Sequence, residues 1–100
     1  MVVLGYSDQG LQLDALRALL QVPRNVGRLS VHSVDDGYIV GALMHGGVMV
    51  WLVAERSKKV RIFKRADTAL SLCRQLGFKT VQVELTVREI PLLSSAEVDQ

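Results

Sequence analysis

The sequence predicts an α+β fold: an antiparallel β-meander with two helices packed on one of its faces, in the order α-β-β-β-β-α-β. Three observations carry this reading. Ala66, Ala69, Leu72, Cys73 and Leu76 recur at the spacing of a helix with one buried face. Residues 28–54 break into three apolar runs separated by Asp35-Asp36-Gly37 and Gly46-Gly47, residue types that turn one strand back on the next. Residues 79–86 alternate, with Val81, Val83 and Leu85 set against Thr80, Gln82, Glu84 and Thr86.

Taken in order, residues 1–6 suit either a short edge strand or an irregular start. Asp8 is a suitable N-cap for a first helix over 9–21, whose Leu13, Leu16, Leu19 and Leu20 form the apolar stripe. Pro23 stops it, because the residue before proline is pushed out of helical geometry. A short basic loop, 24–27, leads to the first strand, 28–34, in which Leu29 and Val31 alternate with Ser30 and His32. The second runs over 38–45. The third, 48–54, is apolar on both faces, with Val48, Val50 and Leu52 on one and Met49, Trp51 and Val53 on the other, as expected of a strand covered twice. A fourth, 60–63, precedes the second helix. Asp67 falls in that helix's first turn, where the helix dipole favours a carboxylate. Gly77 suits the left-handed residue just past its end, with Phe78 placed for the accompanying apolar contact. The last strand, 79–86, is expected to turn Val81, Val83 and Leu85 inward and to keep one wet face.

One hundred residues make a single domain. We place it at 1–90, with 91–100 as a loose tail whose patterning is weak. The 49% hydrophobic content is high for this length, so either the core is rich or some apolar surface is shared with a partner. One cysteine excludes an internal disulfide, and Cys73 reads as a core thiol. No signal-type segment opens the chain, and no apolar run approaches the roughly 20 residues of a membrane span. The expectation is a cytoplasmic protein without membrane contact.

Charge is the one functional signal. Arg56, Lys58, Lys59, Arg61, Lys64 and Arg65 supply half of the chain's twelve basic residues within ten positions, with no acidic residue among them. They are the candidate ligand surface, for DNA phosphates or for an acidic protein; a solvated edge that deters aggregation needs the same charges. Other constellations carry less. His32 and His45 lack the close-spaced partners of a zinc site, so no metal or other cofactor is expected. Cys73 has no activating neighbour on its own helix face, Asp35-Asp36 reads as turn chemistry, and Gly46-Gly47 leads into no helix as a phosphate loop would. No enzyme and no small-molecule substrate are expected. Two helices cover only one sheet face, so Met49, Trp51 and Val53 are expected to lie at a homodimer interface.

Residues 60–78, V-R-I-F-K-R-A-D-T-A-L-S-L-C-R-Q-L-G-F, followed by an alternating strand, resemble the C-terminal part of small plasmid partition-associated (ParC-like) accessory proteins of mobile elements. The matching residues are R-x-F-K-R-x-D-T-A at Arg61 to Ala69 and the Leu-Gly-Phe stop at Leu76 to Phe78. The resemblance implies a non-enzymatic accessory role through protein or DNA contacts and carries over no catalytic residue. The helix and strand order is also similar to the double-stranded RNA-binding domain, with Lys58-Lys59 near its lysine-bearing region; the extra strand after Lys59 departs from that pattern. The first expectation is therefore a mobile-element accessory protein that dimerises and contacts a partner protein. The alternative is a nucleic-acid binder using 56–65.

Overall fold

The elements are β1 (Asp8–Leu11), α1 (Leu13–Leu20), β2 (Val26–Val34), β3 (Gly37–Met44), β4 (Met49–Leu52), α2 (Ala66–Gln75) and β5 (Gln82–Arg88). They come from a computed structural model that describes residues 8–22, 26–91 and 93. The fold is α+β, a mixed five-stranded sheet in the order β1-β4-β3-β2-β5 with two helices on one face. The meander is its centre: β2 pairs antiparallel with β3, and β3 with β4. Both outer strands join in parallel, β1 on β4 and β5 on β2.

Turn chemistry explains the meander. Asp35-Asp36 closes β2 onto β3, with Val34 opposite Gly37. Gly37 has φ +151°, and a Cβ there would lie 2.2 Å from the Phe63 carbonyl oxygen, so no other residue fits. The second turn is a three-residue loop, His45-Gly46-Gly47, in which the Gly47 N–H reaches the Met44 carbonyl at 2.9 Å. Of its two glycines only Gly47 is left-handed, at φ +94°.

Three elements differ from expectation. The segment read as the start of the first helix is β1, and α1 begins at Leu13. Tertiary pairing overrides local preference here: Gly10, a poor helix former, lies opposite Trp51, where a Cβ would sit 2.5 Å from Val53 Cγ1. Residues 60–63 form two isolated bridges, Val53 with Val60 and Tyr38 with Phe63. They belong to a strap, 54–65, that leaves the end of β4 and takes over the pairing with the start of β3. The last strand differs in burial: Val81 packs against the helix-side cluster, but Val83 and Leu85 stay exposed, because β5 is an edge strand and is exposed along its whole length.

Two apolar clusters flank the sheet. On the helix side, Leu16, Ala69, Leu72 and Cys73 pack against Leu29, Val31, Val40, Ala42 and Leu52, with Phe63 between. Of the expected stripes, Leu16 of α1 and Ala69, Leu72 and Cys73 of α2 are buried, and Leu13, Leu19, Leu20, Ala66 and Leu76 are half-buried. Gly77, at φ +99°, ends α2, with its N–H on the Arg74 carbonyl at 2.9 Å and that of Phe78 on the Cys73 carbonyl at 3.2 Å. On the other face Val34, Ile39, Trp51 and Val60 form the second cluster, joined by Met49, Ile62 and Leu93. Pro91 is buried and Leu93 half-buried, so these two tail residues are packed. The remainder of 91–100 beyond Leu93 lies outside the described residues, as do 1–6.

Candidate functional site

The six basic residues are all exposed, but they are strung along the strap rather than gathered. Arg56 sits in the turn at 55–57. Lys58, at φ +61°, lines a groove with Gly10, Leu11, Gln12 and Ala15 at the β1–α1 junction. The Lys59 N–H is held by Ser57 Oγ at 3.2 Å. The Arg61 guanidinium lies 4.7 Å from the centroid of the Phe63 ring. Lys64 stands at the other end, in a cleft with Asp35 and Asp36. Arg65 donates two 3.0 Å hydrogen bonds to the Asp67 carboxylate. That bidentate pair lowers the Asp67 pKa and raises that of Arg65. Arg56, Lys58, Lys59, Arg61 and Lys64 remain without an acidic partner among the described residues.

Trp51 and Val53 do not offer the open apolar face expected of them, and Met49 is half-buried. Trp51 is 1% exposed and Val53 6%, both within a single chain. The cover expected from a second copy comes here from the chain itself. Val60 and Ile62 of the strap and Leu93 of the tail close over this face, and Met49 packs against the same cluster. The Arg88 guanidinium stacks 4.9 Å from the indole centroid, and the His32 ring meets it edge-on at 5.0 Å. Gly41, opposite Trp51 on β3, leaves room for the ring, and Gly10, opposite it on β1, leaves room for Val53 and Leu93.

The residues considered for metal or nucleophilic chemistry are separated by the sheet. His32 is buried on the Trp51 face, with Nε2 2.8 Å from Ser30 Oγ. Burial and the Arg88 charge push its pKa down, with Glu84 opposing them. Cys73 is wholly buried on the helix face, where burial raises its thiol pKa. His45 is exposed in the β3–β4 loop. Among the described residues no three His, Cys, Asp or Glu side chains come together to hold a metal ion, and no helix is long and apolar enough to cross a membrane.

An uncovered apolar strip lies on β5. Val83, Leu85 and Val87 are 41%, 75% and 57% exposed. Val83 lies opposite Val31 and so faces the helix side, where α2 rests chiefly on β3 and β2. Leu70 of α2, 39% exposed, borders the strip. Arg74 and Lys79 flank its Val83 end, and Asp35, Asp36 and Lys64 its Val87 end. The alternation over 79–86 marks this apolar face correctly. It carries no information on whether anything covers it, which is why Leu70, Leu85 and Val87 were not among the candidate residues. Compared with protein-family models, with curated proteins and with solved structures, the chain matches none of them.

Proposed function

We propose that this chain is a small non-enzymatic accessory binding protein that works by contact with another polypeptide, and that the α2–β5 face makes the contact. The observation that carries the reading is Leu85, 75% exposed between Val83 and Val87 on an edge strand. Monomeric proteins seldom leave a contiguous apolar strip open, and such strips mark protein interaction sites. The resemblance of 61–69 and 76–78 to partition-associated accessory proteins supports setting this contact in the maintenance of a mobile element. The strap cations give an acidic partner a second point of attachment.

The second reading, nucleic-acid binding, is favoured by the five exposed strap cations and by Arg61 stacked on Phe63. One set of variants separates the two. Co-purification from cells that naturally carry the chain is compared for wild type, Leu85→Lys/Val87→Lys and Lys59→Ala/Arg61→Ala. Protein contact through β5 requires the first double variant to lose a polypeptide that wild type retains, at an unchanged melting temperature; equal recovery refutes it. In parallel, each protein is titrated into a labelled mixed-sequence 20-base-pair duplex at rising salt. Each phosphate contact contributes a slope of about −0.9 in log K against log salt. A slope steeper than about −3 that shrinks in Lys59→Ala/Arg61→Ala replaces the protein reading with the nucleic-acid one.

A further inference from the structure

The strip on β5 has a polarity that selects its occupant. At the Val83 end stand Arg74 and Lys79, two positive charges. At the Val87 end stand Asp35 and Asp36 with Lys64, a net negative set. The ends are four residues apart along β5. A surface positive at one end, negative at the other and apolar between is complementary to itself when turned end over end. A twofold axis performs that operation, and it closes after two copies instead of growing a filament.

The edge itself argues against simple strand addition. Between His32 and Val34 of β2 the paired residues of β5 go from Glu84 to Arg88, so four residues span what two span opposite. The extra residues carry 85–87 out of the ladder, and an irregular edge resists continuing a sheet into a neighbour. Resting on the reading that this face binds a polypeptide, we infer that its occupant is a second copy of this chain. The two copies pack face to face and antiparallel, with each Leu85 beside the twofold axis. Val83 of one copy lies near Val87 of the other, and Arg74 and Lys79 meet the partner copy's Asp35 and Asp36 region. Leu70 widens the apolar contact. The Trp51 face takes no part, since the chain already covers it.

Sedimentation velocity from about 2 to 200 µM tests the arrangement; the range brackets dissociation constants on the order of micromolar, suited to a modest interface. Wild type is expected to shift from monomer to dimer across it. Leu85→Lys, at a position 75% exposed in the single chain, is expected to remain monomeric with an unchanged melting temperature. Asp36→Lys and Lys79→Glu are each expected to weaken association about tenfold or more, since like charges then meet across the axis. The two together restore it, as coupled sites do. Wild type that stays monomeric at 200 µM overturns the inference, as does a dimer that survives Leu85→Lys. A Leu85-dependent dimer that the charge swap fails to restore overturns the antiparallel arrangement and the proposal with it. The reading of β5 as a protein-contact face falls separately, on co-purification insensitive to Leu85→Lys/Val87→Lys. A monomer that loses a different polypeptide through those substitutions keeps that reading and removes the second copy.

Discussion

Replacing Gly41 by alanine puts a methyl group where the Trp51 ring lies. A Cβ at that position would be 2.8 Å from Trp51 Cζ3, 2.9 Å from Cε3 and 3.1 Å from Met49 Sδ. Ordinary contact begins near 3.4 Å, so the ring must give by several tenths of an ångström. Its neighbours leave it little freedom: Arg88 stacks on it and His32 meets its edge. Overpacking of this kind costs about 1–3 kcal/mol. Loss of backbone freedom in the unfolded chain returns about 0.4–1 kcal/mol, because Gly41 is not in a left-handed conformation. The net expectation is a loss of roughly 1–2 kcal/mol. For a domain of this size that lowers the melting temperature by roughly 5–15 °C. The assay is urea unfolding followed by the emission of Trp51, the only tryptophan in the chain, with the midpoint shifting at constant slope. Gly46→Ala is the control, since a Cβ there meets nothing within 4 Å; it should be neutral or slightly stabilising. If Gly41→Ala unfolds at the same midpoint as Gly46→Ala, the indole is not held in this slot. Burial within one chain also requires the folded emission to be independent of dilution, even where sedimentation shows dimer separating to monomer.

Two further expectations probe the opposite helix face and the buried histidine. Leu72→Ala, at a residue 9% exposed beneath α2, should cost about 2–5 kcal/mol, whereas Ser71→Ala and Gln75→Ala on the solvent side should stay within about 0.5 kcal/mol; similar unfolding midpoints for all three would place the helix in the wrong phase. For His32 the folded pKa is lowered by burial and by Arg88, against the smaller opposing effect of Glu84. The unfolded chain then binds a proton first as pH falls. The contribution is present above the ordinary histidine value near 6.5 and is lost as pH drops through the folded value. The melting temperature should fall between about pH 7.5 and 5.5 in wild type and fall less in His32→Gln; parallel profiles would remove His32 as the source.

The parts of this fold legible in the sequence are those decided within a few residues. Gly77 and Phe78 close α2 through bonds to Arg74 and Cys73, and the glycine that permits this is visible in the chain. The Asp35-Asp36-Gly37 turn is equally local, although the closest reason for Gly37 is the Phe63 carbonyl, 26 positions away. What was not legible depends on strand order. Gly10 looks like a weak first turn of a helix until β1 is seen to lie beside β4, where the same glycine makes room for Val53 and Leu93. Trp51 looks like an interface residue until Val60, Ile62 and Leu93 are seen to cover it. In both cases the residue type was informative and the neighbour was missing.

Strand order also explains why the proposed contact lies on a different strand from the one expected. Two strands carry apolar side chains that the helices do not cover, the second face of 48–54, which the sequence pattern exposes, and 79–86, which that pattern turns inward. A five-stranded sheet with two helices over its middle has enough chain left to close one of these, and the strap and tail close the central one. Covering Trp51 removes the larger side chain from water, and burying an aromatic ring of its size outweighs burying a valine or leucine at the margin. The edge strand is therefore the one left bare. Its exposed residues are Val83, Leu85 and Val87, with no ring among them. Charges at either end, from α2 and from the β2–β3 turn, then give the bare strip a direction. An apolar strip alone would accept many partners; one bounded by opposite charges rejects those that bring the wrong charge to either end. Contact at β5 is thus expected to be modest in strength and definite in orientation.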